Sequence, residues 1–162
     1  MNQPIRVLMV CLGNICRSPT AEAVFRARVQ NAGLDHCITV DSAGTSDWHL
    51  DKAPHPPSIA AAAERGYALH ELRGRQVCDE DFERFDYLLA MDQQNLRDLQ
   101  SRCPEHLRHK LALFLSHGSS GREEVPDPYG LEANRYSEVL DLVEGASDAL
   151  LEHLVRSHAL QR

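Results

Sequence analysis

Residues 5–19 read Ile-Arg-Val-Leu-Met-Val-Cys-Leu-Gly-Asn-Ile-Cys-Arg-Ser-Pro, and the fold turns on them. Ile5 to Val10 is a short, nearly continuous apolar run, the pattern of a strand buried on both faces. Ser18 and Pro19 then supply a helix start, with Ser18 as N-cap and Pro19 at the first helical position. Ala21, Val24, Phe25, Val29 and Ala32 follow at helical spacing, and Gly33 stops the helix. A buried strand that feeds a helix through a seven-residue loop is the opening of an α/β domain.

Outward from this stretch the alternation continues. Cys37 to Val40 reads as a second strand running into Ser42-Ala43-Gly44-Thr45. Residues 46–58 are polar and carry Pro54, Pro56 and Pro57, so a long surface loop is expected. Ile59 to Arg65 reads as a short Ala-rich helix closed by Gly66. Phe85 to Met91 reads as a third buried strand, Asp92 caps a helix through Leu96 and Leu99, and Lys110 to Leu115 is a fourth strand. After a Gly/Ser loop and the segment Val125-Pro126-Asp127-Pro128-Tyr129-Gly130, a last helix carries Tyr136, Val139, Leu140, Val143, Leu150 and Leu154 on one stripe. Gly145 within it weakens helix propensity by about 1 kcal/mol. The expectation is one α/β domain over residues 1–162 with a parallel sheet, whose ligands bind beyond the carboxyl ends of the strands.

Composition narrows the function. The 162 residues include 17 Lys plus Arg and 24 Asp plus Glu, a formal net charge of −7, which opposes nucleic acid and anionic lipid as main partners. The longest apolar run, Val7 to Leu12, is too short to span a bilayer, and no secretory signal is evident. Five cysteines without a C-x-x-C pair, and scattered histidines, disfavour a disulfide scaffold and a metal site. A cytoplasmic protein with free thiols is expected. An anionic substrate must then be held by a concentrated local site, because the overall field opposes its approach.

Cys11-Leu12-Gly13-Asn14-Ile15-Cys16-Arg17-Ser18 supplies such a site. A loop between strand end and helix start aims successive backbone N–H groups at one point, backed by the positive end of the helix dipole. Gly13 and Asn14 are the residue types that most readily take the left-handed conformation such a loop needs. Arg17 offers a planar fork that matches phosphate oxygens. Cys11 lies in the same positive field, which favours its thiolate, and Ser18 is placed to donate a hydrogen bond to the sulfur. The dinucleotide fingerprint and the Walker A motif are both absent.

With this loop, Ser42-Ala43-Gly44-Thr45, Arg75-Gln76, Phe85-Asp86-Tyr87, Met91-Asp92 and Asp127-Pro128-Tyr129-Gly130, the chain resembles the low-molecular-weight protein tyrosine phosphatases from about Val7 to Leu151. The resemblance implies a three-layer fold: a four-stranded, parallel, twisted sheet flanked by helices, Rossmann-like or flavodoxin-like, with a phosphate loop after the first strand. It implies a metal-free, cofactor-free reaction through a phosphocysteine, with Cys11, Arg17 and Asp127 as catalytic residues and Asp127 as general acid. Leu12, Gly13, Asn14, Ile15, Cys16 and Ser18 would bind substrate, Trp48 and Tyr129 would wall its cleft, and Asn14 with Ser42 would support the loop. Cys16 would trap oxidised Cys11 as a disulfide. Phosphotyrosine proteins and a cognate tyrosine kinase are the implied partners, and a monomer or weak dimer the implied state.

The chain also departs from that pattern. Leu72 stands where many members carry a His that braces the loop network, which leaves nearby His70 as a substitute. Gly130 replaces the second tyrosine of animal members, a bacterial trait. An arsenate reductase of the same fold would need two close downstream cysteines, whereas Cys78 and Cys103 are far apart. A protein arginine phosphatase tends to carry Thr at the position of Ile15. The remaining alternative is a non-catalytic phosphate-binding module.

Overall fold

The computed structural model describes residues 3–118 and 120–161. Its strands are β1 (Ile5–Cys11), β2 (Ile38–Gly44), β3 (Tyr87–Ala90) and β4 (Leu111–Leu113), and its helices are α1 (Arg17–Asn31), α2 (Pro56–Ala63), α3 (Asp79–Arg84), α4 (Gln93–Arg102) and α5 (Ala133–Ser157). All strand pairs are parallel, in the order β2-β1-β3-β4. The chain therefore leaves β1 toward one side for β2 and later returns to its other side for β3. That reversal opens a crevice beyond the carboxyl end of β1, where Cys11 is the last strand residue.

β1 is buried on both faces because each face has its own core. Val7, Met9 and Cys11 face a cluster that includes Val24 and Phe25 of α1 and Val139, Leu140 and Val143 of α5. Leu8 and Val10 face the opposite layer, with Phe82 of α3 and Leu99 of α4. The side-chain period of two sends alternate residues into the two cores. Removing a fully buried ring such as Phe25 by Phe25→Ala would cost about 3–5 kcal/mol. No helix among the described residues is long and apolar enough to cross a membrane.

Three expectations about the elements need correction. The helix expected over Ile59–Arg65 begins at Pro56, because two prolines suit a first turn whose N–H groups need no intrahelical partner. α3 is absent from the sequence reading; at six residues it is too short for a hydrophobic period, although its acidic start Asp79-Glu80-Asp81 is a helix signal. β3 and β4 are shorter than Phe85–Met91 and Lys110–Leu115. β4 is an edge paired only over Leu111–Leu113, and Phe114 and Leu115 turn inward in a 3₁₀ segment. α5 runs unbroken through Gly145, since its apolar stripe packs against α1 and α2 and outweighs one weak residue.

Candidate active site

The loop from Cys11 to Ser18 folds around the Cys11 sulfur. The Asn14 backbone N–H points at Sγ from 3.3 Å, and Ser18 Oγ lies 3.0 Å from it. Ser18 is not the N-cap; α1 starts at Arg17 after Cys16, which caps nothing with its side chain. The Ser18 hydroxyl turns to the sulfur instead, and Pro19 sits two residues into the helix. Asn14 takes the left-handed conformation at φ 57°, whereas Gly13 has no positive φ. At Gly13 the constraint is space, since a Cβ there would meet the His49 ring at 2.8 Å. Gly44 is also a matter of space: a Cβ would lie 2.7 Å from the Leu12 carbonyl oxygen. β2 thus presses its backbone against the loop.

Under the loop the first turn of α1 is buried although it is polar. Asn14, Arg17, Ser18, Glu22 and Ser42 are all inaccessible or nearly so. Asn14 Nδ2 donates to Ser18 Oγ (2.8 Å) and Ser42 Oγ (3.0 Å), and Asn14 Oδ1 accepts the Arg75 backbone N–H (3.0 Å). The Asn14–Ser42 contact therefore forms with Leu72 in place of a histidine. His70 plays no part in it: its side chain is exposed, and the nearest carboxylate oxygen is that of Glu71 at 3.9 Å. Leu72 packs against the core.

Arg17 is oriented by groups that the sequence reading did not assign to it. Its Nη1 donates to Asp92 Oδ2 (2.6 Å) and to the Val125 carbonyl (3.2 Å). Asp92 does two jobs: its other oxygen accepts the Asn95 N–H and caps α4. Among the described residues, Nε and Nη2 of Arg17 have no hydrogen bond, and Asp127 Oδ2 lies 3.7 Å from Nη2. That edge of the guanidinium can meet two oxygens of a phosphate.

A cavity of about 410 Å³ opens above the sulfur, lined by Cys11, Leu12, Gly13, Ile15, Cys16, Arg17, Trp48, His49, Asp127 and Tyr129. The expected walls, Trp48 and Tyr129, both stand on it and are 65 % and 54 % exposed. His49 is a wall residue that sequence reasoning missed; only its place beside Trp48 hinted at it. Asp127 is half-exposed, and its Oδ1 accepts the Tyr129 N–H. Cys16 differs from Cys11. It packs with Ile15 and Tyr136, and burial pushes its thiol up to about 12, with Cys11 and Asp127 adding to the rise. Among the described residues, no group of three His, Cys, Asp or Glu side chains is placed to hold a metal ion.

The family described as low molecular weight phosphotyrosine protein phosphatase matches residues 6–160. The chain belongs to this family. A low molecular weight protein-tyrosine-phosphatase of Streptomyces coelicolor is 44% identical over 150 residues, 90% of this chain and 91% of the relative. The crystal structure of a protein tyrosine phosphatase from Entamoeba histolytica, with Hepes in its active site, superposes with a TM-score of 0.91 at 36% identity, over 96% of this chain and 99% of the other. YfkJ from Bacillus subtilis superposes equally well, with a TM-score of 0.91 at 35% identity, covering 96% and 98% of the two chains. As a low molecular weight phosphatase, the chain shares the four-stranded parallel fold of these structures.

Proposed function

We propose that this phosphatase hydrolyses phosphotyrosine in proteins, and small aryl phosphates, through a phosphocysteine. The observation that carries the reading is one cavity with the Cys11 sulfur at its floor, the free edge of Arg17 beside it and the Asp127 carboxyl on its wall. Arg17 and the amides of residues 12–18 bind the phosphate oxygens. Cys11 Sγ attacks phosphorus as the bond to the tyrosyl oxygen breaks, and Asp127 gives that oxygen its proton. A phenolate is a poor leaving group unless it is protonated as the bond breaks. The Asp127 carboxylate then takes a proton from water while the water oxygen attacks phosphorus. The S–P bond breaks, phosphate leaves and the thiolate is restored.

Two aromatic walls over a deep sulfur suit a flat aryl group, so Trp48 and Tyr129 favour phosphotyrosine over phosphoserine. We further assign Cys16 a protective role. Peroxide oxidises the Cys11 thiolate to sulfenic acid, and the Cys16 thiol condenses with it, forming a disulfide and releasing water. The loss of negative charge on Cys11 removes one of the lesser causes that push Cys16 up, while burial, the largest, remains. A cytoplasmic enzyme paired with a tyrosine kinase, working as a monomer or weak dimer, completes the reading.

The test is hydrolysis of p-nitrophenyl phosphate with and without chelator. Turnover that survives chelation and vanishes in Cys11→Ser is expected, while the variant still binds vanadate. Substantial hydrolysis by Cys11→Ser would overturn the reading.

A further inference from the structure

Tyr129 is 54 % exposed, yet its ring has a neighbour on the protein side. The His55 ring lies 4.8 Å from it, centroid to centroid, at a tilt of 38°, within the range of paired rings. His49 stands farther off, at 6.4 Å. His55 itself does not line the cavity. It precedes Pro56, which favours the extended backbone seen there (φ −59°, ψ 134°), and it opens α2 without capping it through its side chain. The imidazole is thus free for other partners.

Three parts of the fold hold His55 in place. Its backbone N–H donates to the Ile15 carbonyl in the loop after β1 (2.8 Å). Its own carbonyl accepts the Ser58 and Ile59 N–H groups of α2 (2.9 and 3.1 Å). Its Nδ1 lies 3.1 Å from the Tyr136 hydroxyl of α5. Tyr136 is 3 % exposed and packs with Ile15 and Cys16. Burial pushes its phenol up, as do Cys16, Asp127 and Tyr129, while the Gly130 backbone N–H pulls it down. A phenol kept neutral has a proton to give, and Nδ1 of a neutral imidazole can accept it. That bond turns the imidazole so that its ring meets Tyr129.

We propose that His55, held by Tyr136, is a positioning residue that braces the Tyr129 ring and so sets how tightly the cleft grips the aryl group of its substrate. The proposal rests on phosphotyrosine as the substrate and Tyr129 as a wall. An exposed ring samples several rotamers, and a neighbour that favours one of them lowers the ordering cost when the substrate binds. The phosphate end of the site is a separate matter, because Arg17 and the loop amides hold it.

That separation supplies the test. The full-length protein is assayed with a phosphotyrosine peptide, and inorganic phosphate is titrated as a competitive inhibitor. His55→Ala keeps the backbone bond to Ile15. It should lower kcat/KM for the peptide about three- to tenfold, the worth of one aromatic contact, mostly through KM. The inhibition constant of phosphate should stay within about twofold, as for a distant site. His55→Phe, which keeps a ring beside Tyr129, should recover most of the loss. Tyr136→Phe keeps the packing of α5 but frees the imidazole, and should cost the peptide about two- to fivefold. In a Tyr129→Ala background either His55→Ala or Tyr136→Phe should add less than about twofold, because the brace has nothing left to hold. The Tyr136→Phe pair carries the test if His55→Ala fails to fold. Phosphate inhibition weakened as much as peptide hydrolysis, or full additivity with Tyr129→Ala, overturns the brace. Unchanged peptide hydrolysis in Tyr129→Ala alone would instead overturn the wall on which the brace acts.

Discussion

The floor and the walls of the cavity are built on different principles. The floor is the loop from Cys11 to Ser18 with Glu22 and Ser42 beneath it, where each of the six polar groups Cys11, Asn14, Arg17, Ser18, Glu22 and Ser42 is buried and has a partner. The walls are the segments around Trp48 and Asp127–Tyr129, where the candidate side chains are exposed and few contacts restrain them. A buried polar group without a partner is costly, so the floor tolerates one arrangement. The exposed Asp127 side chain is held more loosely, by the stiffness of a backbone with Pro126 and Pro128 on either side, by the Tyr129 N–H and by Arg17 Nη2 at 3.7 Å. Substitutions in the floor should therefore harm every substrate alike, and substitutions in the walls should discriminate between substrates.

Asp127→Asn is the strongest way to break that contrast from the wall side. The loss should be roughly 10²–10⁴-fold with phenyl phosphate, the usual worth of a general acid, and should shrink with nitrophenyl phosphates, whose leaving groups need less help. The basic limb of the pH–rate profile should flatten while the acidic limb remains. A uniform loss across leaving groups would show that Asp127 only positions the loop. Trp48→Ala should have a smaller effect, up to about tenfold in kcat/KM for phosphotyrosine peptides, because an aromatic contact is worth about 0.5–1.5 kcal/mol beyond area burial. Unchanged hydrolysis of those peptides would remove Trp48 from the substrate cleft.

The two cysteines of the floor sharpen the contrast further. After mild peroxide, dithiothreitol should restore the wild type several-fold better than Cys16→Ser. Equal recovery would count against the protective role. The smallest effect is expected far from both regions, at His117. Its ring lies 4.9 Å from that of His153 at a tilt of 45°, its Nε2 is buried without a partner among the described residues, and burial followed by His153 holds its pKa below the ordinary value. The unfolded ring takes up a proton near pH 6.5, the folded ring only at lower pH, so the unfolded chain binds more protons in that window. Stability should fall as pH drops below about 6.5, and His117→Gln should flatten that fall in urea unfolding. An unchanged slope would show that the pair is indifferent to pH.

Much of this molecule was legible from local patterns. Ile5 to Val10 announced a strand buried twice, and the residues from Cys11 to Ser18 announced an anion site, because strand period and loop chemistry are short-range properties. The helical stripe of α5 was equally plain, since one helix carries its whole pattern. Elements too short for a period were not, and α3 and the true extent of β4 came only with the structure. The larger gap concerns partners distant in sequence. Asp92 read as a helix cap, and Glu22 drew no reading at all, until the fold brought the one to Arg17 across 75 residues and the other to Ser42 across 20. Ser18 read as a cap for its own helix, yet its hydroxyl turned to the sulfur. The sequence by itself determined the strand, the loop and the helix start that place Cys11, Asn14, Arg17 and Ser18 at the end of β1. Only the tertiary structure decided which partners those groups meet, because Asp92 reaches Arg17, and Glu22 reaches Ser42, only through the packing of the elements that carry them.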